Sequence, residues 1–165
     1  MPHRQGFSEL IRENFPFDHQ KITGIEIGCW RGEFCSHLLG EFSNLSMVTI
    51  DPSPIWPDVL EHRSILERLW ILPLTSDLAA HLLRMHTNLY DFVFIDGDHS
   101  YEQCKRDILN YTPLIREGGI VSGHNYHEAP NSAHPGVHQA VKEVFGNNIN
   151  LKSDFIWWVK RINTA

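Results

Sequence analysis

Residues 91–96 read DFVFID, an apolar run without alternation that stops abruptly on a carboxylate. Such a run suits a strand buried on both faces, and those strands belong to parallel sheets sandwiched between helices. Parallel neighbours need long crossovers, so this one segment demands further strands spaced by helices. The chain supplies them. ITGIEIG (22–28), LSMVTID (45–51), the shorter ILPLTSD (71–77) and GGIVSG (118–123) are all apolar stretches that end on polar or glycine residues.

Helical periodicity fills the gaps. Phe34, Leu38 and Leu39 predict a helix closed by Gly40, and Pro57 opens another carrying Val59, Leu60, Ile65, Leu66 and Leu69. DLAAHLLRMH (77–86) predicts a third helix. Ser100 and Gln103 form a capping-box pattern ahead of a helix through Cys104, Ile108 and Leu114, and Pro135 starts one that Gly146 stops. INLKSDFIWWVKR (149–161) reads as a closing hairpin with Trp157 and Trp158 packed on opposite faces. Residues 1–21 are read as a helical extension through Phe7, Leu10, Ile11 and Phe15, suited to core packing, with a dimer or substrate surface as the alternative. Residues 22–165 are read as one α/β domain, a size that 165 residues allow.

Charge narrows the partners. Lys and Arg total 14 against 20 Asp and Glu, a formal charge of -6. Without a basic cluster to neutralise phosphates, nucleic acid is not the expected partner. Cys29, Cys35 and Cys104 lack metal or disulfide spacing and are expected to be free thiols. With no signal-like segment and no run of about 18 apolar residues, no membrane insertion and a cytoplasmic location are expected.

In a doubly wound sheet, ligands collect outside the carboxyl ends of the strands. The chemistry-bearing residues fall there: Glu26 and Gly28, then Asp51, then Asp77, then Asp96, Asp98 and His99, and finally His124 and Asn125. Gly28 permits a turn that a ligand can approach, and Gly32 allows close helix packing. Asp51, 23 residues beyond Gly28, is placed to accept from two ribose hydroxyls. A dinucleotide loop would carry glycine where Glu26 stands, and a carboxylate there repels pyrophosphate. It suits a cofactor whose tail is a cationic amino acid. That reasoning points to S-adenosylmethionine and away from a nicotinamide-dependent oxidoreductase.

IEIGCWRGEF, the strand ending at Asp51, and FIDGDHSYEQCKRDILNYTPLIREGGIVSGHNY resemble the class I S-adenosylmethionine-dependent methyltransferases over residues 22–161. The likeness is to the group related to macrolide and aminocoumarin sugar O-methyltransferases and to surface-polysaccharide enzymes. It implies a Rossmann-like three-layer α/β/α sandwich, its seven-stranded sheet mostly parallel with the last strand antiparallel. It implies a cofactor loop of Glu26, Gly28, Cys29 and Gly32, Asp51 on the ribose, Ser76 and Asp77 near the adenine, and Asp96 beside the methyl group. Metal-dependent relatives bind magnesium at positions that look like Asp96, His124 and Asn125, and their general base looks like Asp98.

The chemistry leaves two bases open, Asp98 and His99, because either can take a proton from an acceptor hydroxyl. His124 and Asn125 replace the two carboxylates of those relatives, a weaker pair for magnesium. A softer divalent metal and a metal-free site therefore both stand. The expected activity is O-methylation of a small polar or saccharide acceptor, in an open cleft or under a partner's lid, bordered by Trp30, Trp56 and Tyr126. A homodimer fits the latter arrangement. His127, His134 and His138 are expected to be solvated. Asp96-Gly97-Asp98 also fits a DxD glycosyltransferase, and an accessory adenosyl-binding domain without turnover fits the same loop.

Overall fold

The computed structural model describes residues 2–15, 20–55, 63–86, 88–127 and 133–162. Seven strands, β1 (Ile22–Ile27), β2 (Leu45–Ile50), β3 (Leu69–Leu72), β4 (Tyr90–Ile95), β5 (Ile115–Gly123), β6 (Asn150–Lys152) and β7 (Ile156–Lys160), form one sheet. Their order is β3-β2-β1-β4-β5-β7-β6. β1 to β5 pair in parallel, and β7 runs antiparallel to both β5 and β6. The Rossmann-like sandwich with its reversed last strand is as the sequence led us to expect.

Six helices among the described residues cover the sheet: α1 (Pro2–Asn14), α2 (Glu33–Glu41), α3 (Arg63–Leu66), α4 (Ser76–Arg84), α5 (Tyr101–Tyr111) and α6 (Pro135–Phe145). β4 shows why its apolar run does not alternate. Phe92 and Phe94 face the core with residues of α1 and α2, while Val93 and Ile95 face the core with residues of α4, α5 and α6. Phe7 of α1 reaches across to Phe34, Phe92 and Phe94, with ring centroids 5.3, 5.2 and 4.9 Å away. Full burial of one such ring is worth roughly 2–3 kcal/mol. Trp157 and Trp158 do take opposite faces of β7.

Several local expectations shift. Gly40 lies inside α2, which ends on the extended Phe42, whose N–H bonds to the Leu38 carbonyl. β3 starts at Leu69, a residue the periodicity assigned to the preceding helix, and stops before Pro73. A short strand inside ERLWIL is invisible to helical spacing, because apolar runs this brief fit either element. Pro57, Val59, Leu60 and Trp56 lie outside the described residues. Leu114 sits in a 3-10 turn (Thr112–Leu114) beyond α5, since Pro113 has no N–H to continue the α-helical ladder.

The amino edge of the sheet is tied by Asp91. Its carboxylate accepts from Thr23 N and Oγ1, at 2.6 and 3.1 Å, and pairs with Arg116, joining the starts of β1, β4 and β5. Among the described residues no helix is long and apolar enough to cross a membrane.

Candidate functional site

From β1 the chain moves to β2 on one side, while β4 occupies the other, so the strand order reverses between β1 and β4. That reversal opens a crevice at the carboxyl edge. The crevice is pinned by backbone: Gly28 N–H donates to the Ile50 carbonyl at 2.8 Å and Asp96 N–H to the Ile27 carbonyl at 2.9 Å. Gly28 has φ +85°, and a Cβ there would stand 2.2 Å from the Asp96 carbonyl oxygen. Only glycine fits that approach.

Two adjoining cavities meet over Gly28, Trp30 and Asp96. The first, about 430 Å³, has Ile27 and Ile50 on its apolar wall and Asp51, Ser76, Gln103 and Asp107 on its polar one. The second, about 330 Å³, is lined by Glu26, Cys29, His99, His124 and Asn125. Asp98 belongs to the first cavity and His99 to the second. Two neighbours that the sequence leaves equivalent as bases thus face different spaces.

In the first cavity, Asp51 takes one backbone N–H on each oxygen, from Trp30 to Oδ2 and from Ser53 to Oδ1, both at 2.8 Å. Two fixed donors hold the carboxylate plane and leave each oxygen further lone-pair capacity. Thr75 caps α4 and brings Ser76 to the wall. Asp77 turns instead toward α5, where it accepts from Asn110 at 3.0 Å and lies 3.6 Å from Arg106. Asp107, a residue the sequence reading passed over, is fully buried and lines this cavity. Its signal was available: Cys104, Asp107, Ile108 and Tyr111 form the buried stripe of α5.

In the second cavity, Glu26 lies beneath α2, buried, and accepts from Thr49 Oγ1 at 2.8 Å. Burial pushes its carboxyl up to about 8, against the hydrogen bonds of Thr49 and Cys35. Burial likewise pushes the Cys29 thiol up to about 12. Cys29, Cys35 and Cys104 are all free and buried. Gly32, at φ 70°, is the N-cap of α2 and shapes the loop from outside both cavities.

Asp96 gathers the rest. Its Oδ1 lies 3.2 Å from His99 Nε2 and 3.6 Å from His124 Nδ1, and Asn125 Nδ2 is 2.8 Å from His99 Nε2. Burial works to raise the Asp96 carboxyl, but the two histidines outweigh it and hold it below the usual value. Burial opposes protonation of His124, yet Asp96 and Asp154 raise its pKa. Asp98 accepts from Ser100 N–H at 2.8 Å, and this backbone bond, joined by one from the Ser100 side chain, lowers its carboxyl. Asn125 at φ 61° and Trp30 at φ 45° are strained residues at this junction. His99 and His134 rings stand 4.2 Å apart. Tyr126 is buried with its ring 5.0 Å from His138, so it packs under the cleft and does not border it.

The donors do not suit magnesium, which takes an octahedron of oxygens. Here one carboxylate faces two imidazoles, and Asn125 turns its amide nitrogen toward Asp96 at 3.5 Å. Among the described residues no group of three or more His, Cys, Asp or Glu is arranged to hold a metal ion. Asp96 does stand beside both His124 and Asn125, at 3.6 and 3.5 Å.

A crevice at the strand reversal, an oriented acid after β2 and a buried acid under the glycine turn define the class I S-adenosylmethionine-dependent methyltransferase fold. A family model described as a methyltransferase domain matches residues 25–126, and the chain belongs to that family. No curated protein matches the sequence. Among solved structures, the chain is similar to an O-methyltransferase from Bacillus cereus in complex with SAH, at 18% identity and TM-score 0.73, over 98% of this chain and 82% of that one. CalS11, a TDP-rhamnose 3'-O-methyltransferase of calicheamicin biosynthesis, superposes with TM-score 0.73 at 14% identity, over 99% and 80%. The mycinamycin-pathway methyltransferase MycE, in complex with Mg, SAH and mycinamycin VI, gives 0.64 at 12%, over 96% of this chain and 51% of that one. These likenesses establish the fold.

Proposed function

We propose that this chain methylates a hydroxyl oxygen of a small polar, sugar-bearing acceptor, with His99 as the general base. The observation that carries the reading is the division of the crevice: Asp51 stands in one cavity, and the Asp96–His99 pair faces the adjoining one. S-adenosylmethionine supplies, when bound, an electrophilic methyl group on a sulfonium. Glu26 under the glycine turn would meet its amino group, and Asp51 its ribose hydroxyls.

His99 takes the proton that leaves the acceptor hydroxyl as the new carbon–oxygen bond forms. Asp96 fixes the ring and stabilises the imidazolium, a carboxylate's usual service to a histidine base. Asp98, held low by Ser100, is the weaker base and sits on the cofactor side. The O-methyltransferases that share this fold, one acting on TDP-rhamnose, support oxygen and a sugar as acceptor.

Calorimetric titration with S-adenosylhomocysteine is the first test, and absence of binding at millimolar concentration would sink the reading. Asp51→Ala is expected to weaken that ligand about 10–100-fold, the worth of hydrogen bonds to a charged group. Acceptors are screened with nucleotide sugars, free sugars and macrolide glycosides by release of S-adenosylhomocysteine. With a working acceptor, His99→Ala should lower turnover about 100-fold or more while cofactor affinity stays within twofold. Asp98→Asn should cost under tenfold; the reverse ranking assigns the base to Asp98.

A further inference from the structure

The two edges of the sheet are finished differently. At one edge β6 carries Lys152, whose Nζ pairs with Glu9 and Glu13 of α1, so that edge is charged and tied to a helix. At the other edge β3 reads LWIL, wholly apolar, and among the described residues no strand lies beyond it. An uncharged edge strand leaves backbone N–H and C=O groups open to another strand, and natural sheets guard such edges with lysine, proline or a covering element. Between Leu69 and Leu72 β3 carries no lysine and no proline.

The helix beside that edge is apolar on its outer face as well. Leu78, Leu82 and Met85 follow one another at helical spacing along α4 and its C-cap, and all three are exposed, Leu78 by 60% and Met85 by 72%. Trp70, 59% exposed, carries the stripe onto the strand: its register partner Val48 faces the core under α4, and its ring lies 6.4 Å from that of His86, next to Met85. A groove of about 460 Å³, lined by Met47, Leu69 and Tyr90, runs beside Trp70. Apolar residues scattered singly over a surface mean little, but these four expose roughly 500 Å² on one patch, as much as the largest patches monomers show. Two such patches face to face would remove roughly 1,000 Å², the area at which specific interfaces begin.

We propose that two copies of this chain pair through this edge, β3 against β3 and α4 against α4, about a two-fold axis normal to the sheet. Such an axis makes both pairs antiparallel and keeps the two α4 helices on one face, so the sheet continues through the joint and the stripes meet above it. It sets the amino end of α4, with Leu78, beside the carboxyl end in the other copy, with Met85, Trp70 and the groove. One patch then supplies both the projection and the recess, as a contact between identical surfaces requires. The strand and the stripe bring no carboxylate, lysine or arginine into the joint, so no formal charge loses its water there. The β6 edge, with Lys152 committed to α1, offers no comparable surface.

The test is sedimentation velocity on the whole chain between about 1 and 200 µM, where the mean mass is expected to rise toward that of two chains. Leu82→Glu sets like charges against each other in the middle of the stripe, and Trp70→Lys guards the strand edge. Each is expected to weaken the dimer about 100-fold or more. Leu151→Glu, at a half-exposed leucine on the β6 edge, is expected to change it less than about twofold. That pattern upholds the proposal and any other overturns it. A monomer throughout leaves the face to a different occupant, and a dimer that Leu82→Glu spares or Leu151→Glu dissolves is joined elsewhere. Should a variant not fold, amide hydrogen exchange on wild type decides. The β3 amides are expected to exchange about tenfold more slowly at the highest concentration than at the lowest, and exchange independent of concentration overturns the assignment.

Discussion

Gly28→Ala is expected to abolish measurable binding of S-adenosylhomocysteine and to lower the melting temperature by about 10 °C. The added methyl would stand 2.2 Å from the Asp96 carbonyl oxygen and 2.6 Å from the Gly97 Cα, both backbone atoms that no rotamer change can clear. The left-handed conformation adds about 1–2 kcal/mol for any L side chain. With the forced separation of the β1 and β4 ends, the total reaches about 3 kcal/mol or more. At roughly 2–4 °C per kcal/mol for a domain of this size, that gives the stated shift. Because Gly28 and Asp96 border both cavities, the same displacement deforms the two together. Thermal melting and calorimetry read the two effects separately, and a variant that melts normally would remove the close approach as the reason for glycine.

Glu26→Gln should move stability and binding in opposite directions. The folded pKa of about 8 lies above the ordinary carboxylate value, so between the two the folded chain holds a proton that the unfolded chain has released. Unfolding then becomes easier as pH rises, by up to about 1.4 kcal/mol per pH unit for one proton, and the loss levels off above the folded pKa. Glutamine removes that slope. The variant should melt above wild type at pH 8, with the gap closing toward pH 5. Binding runs the other way: the cationic amino group of the ligand loses a charged partner, and affinity should fall about 10–100-fold. Wild type should also release a proton on binding at pH 7, visible as a dependence of the binding heat on buffer ionisation, and Glu26→Gln should not. Equal pH profiles for the two proteins would show that Glu26 is ionised before the ligand arrives.

The sequence shows the frame of the site because strand ends and helix starts leave local signatures. Ser100 accepts from Gln103 N–H at 3.3 Å as its capping pattern announces, and Pro135 and Gly146 bound α6. The unalternating Phe92–Ile95 run of β4 declares its two-sided burial before any contact is known. What stays hidden is direction. Asp98 and His99 are adjacent letters, yet the turn after β4 sends them into different cavities, and nothing in their spacing says which. Asp107 hides for another reason, since an acid in an amphipathic helix ordinarily faces water. Only its place between Cys104 and Ile108 on the apolar stripe marks it. β3 slips two residues from its expected start because the preceding apolar residues suit a helix equally well.

The Asp91 tie sits at the opposite rim from everything the chemistry uses. Thr23, Asp91 and Arg116 fasten the beginnings of three strands whose far ends carry Glu26, Asp96 and His124. The molecule therefore separates its clasp from its working face by the length of a strand. Sequence changes can accumulate among the loops at one rim without loosening the clasp at the other, so one frame can carry many differently lined clefts.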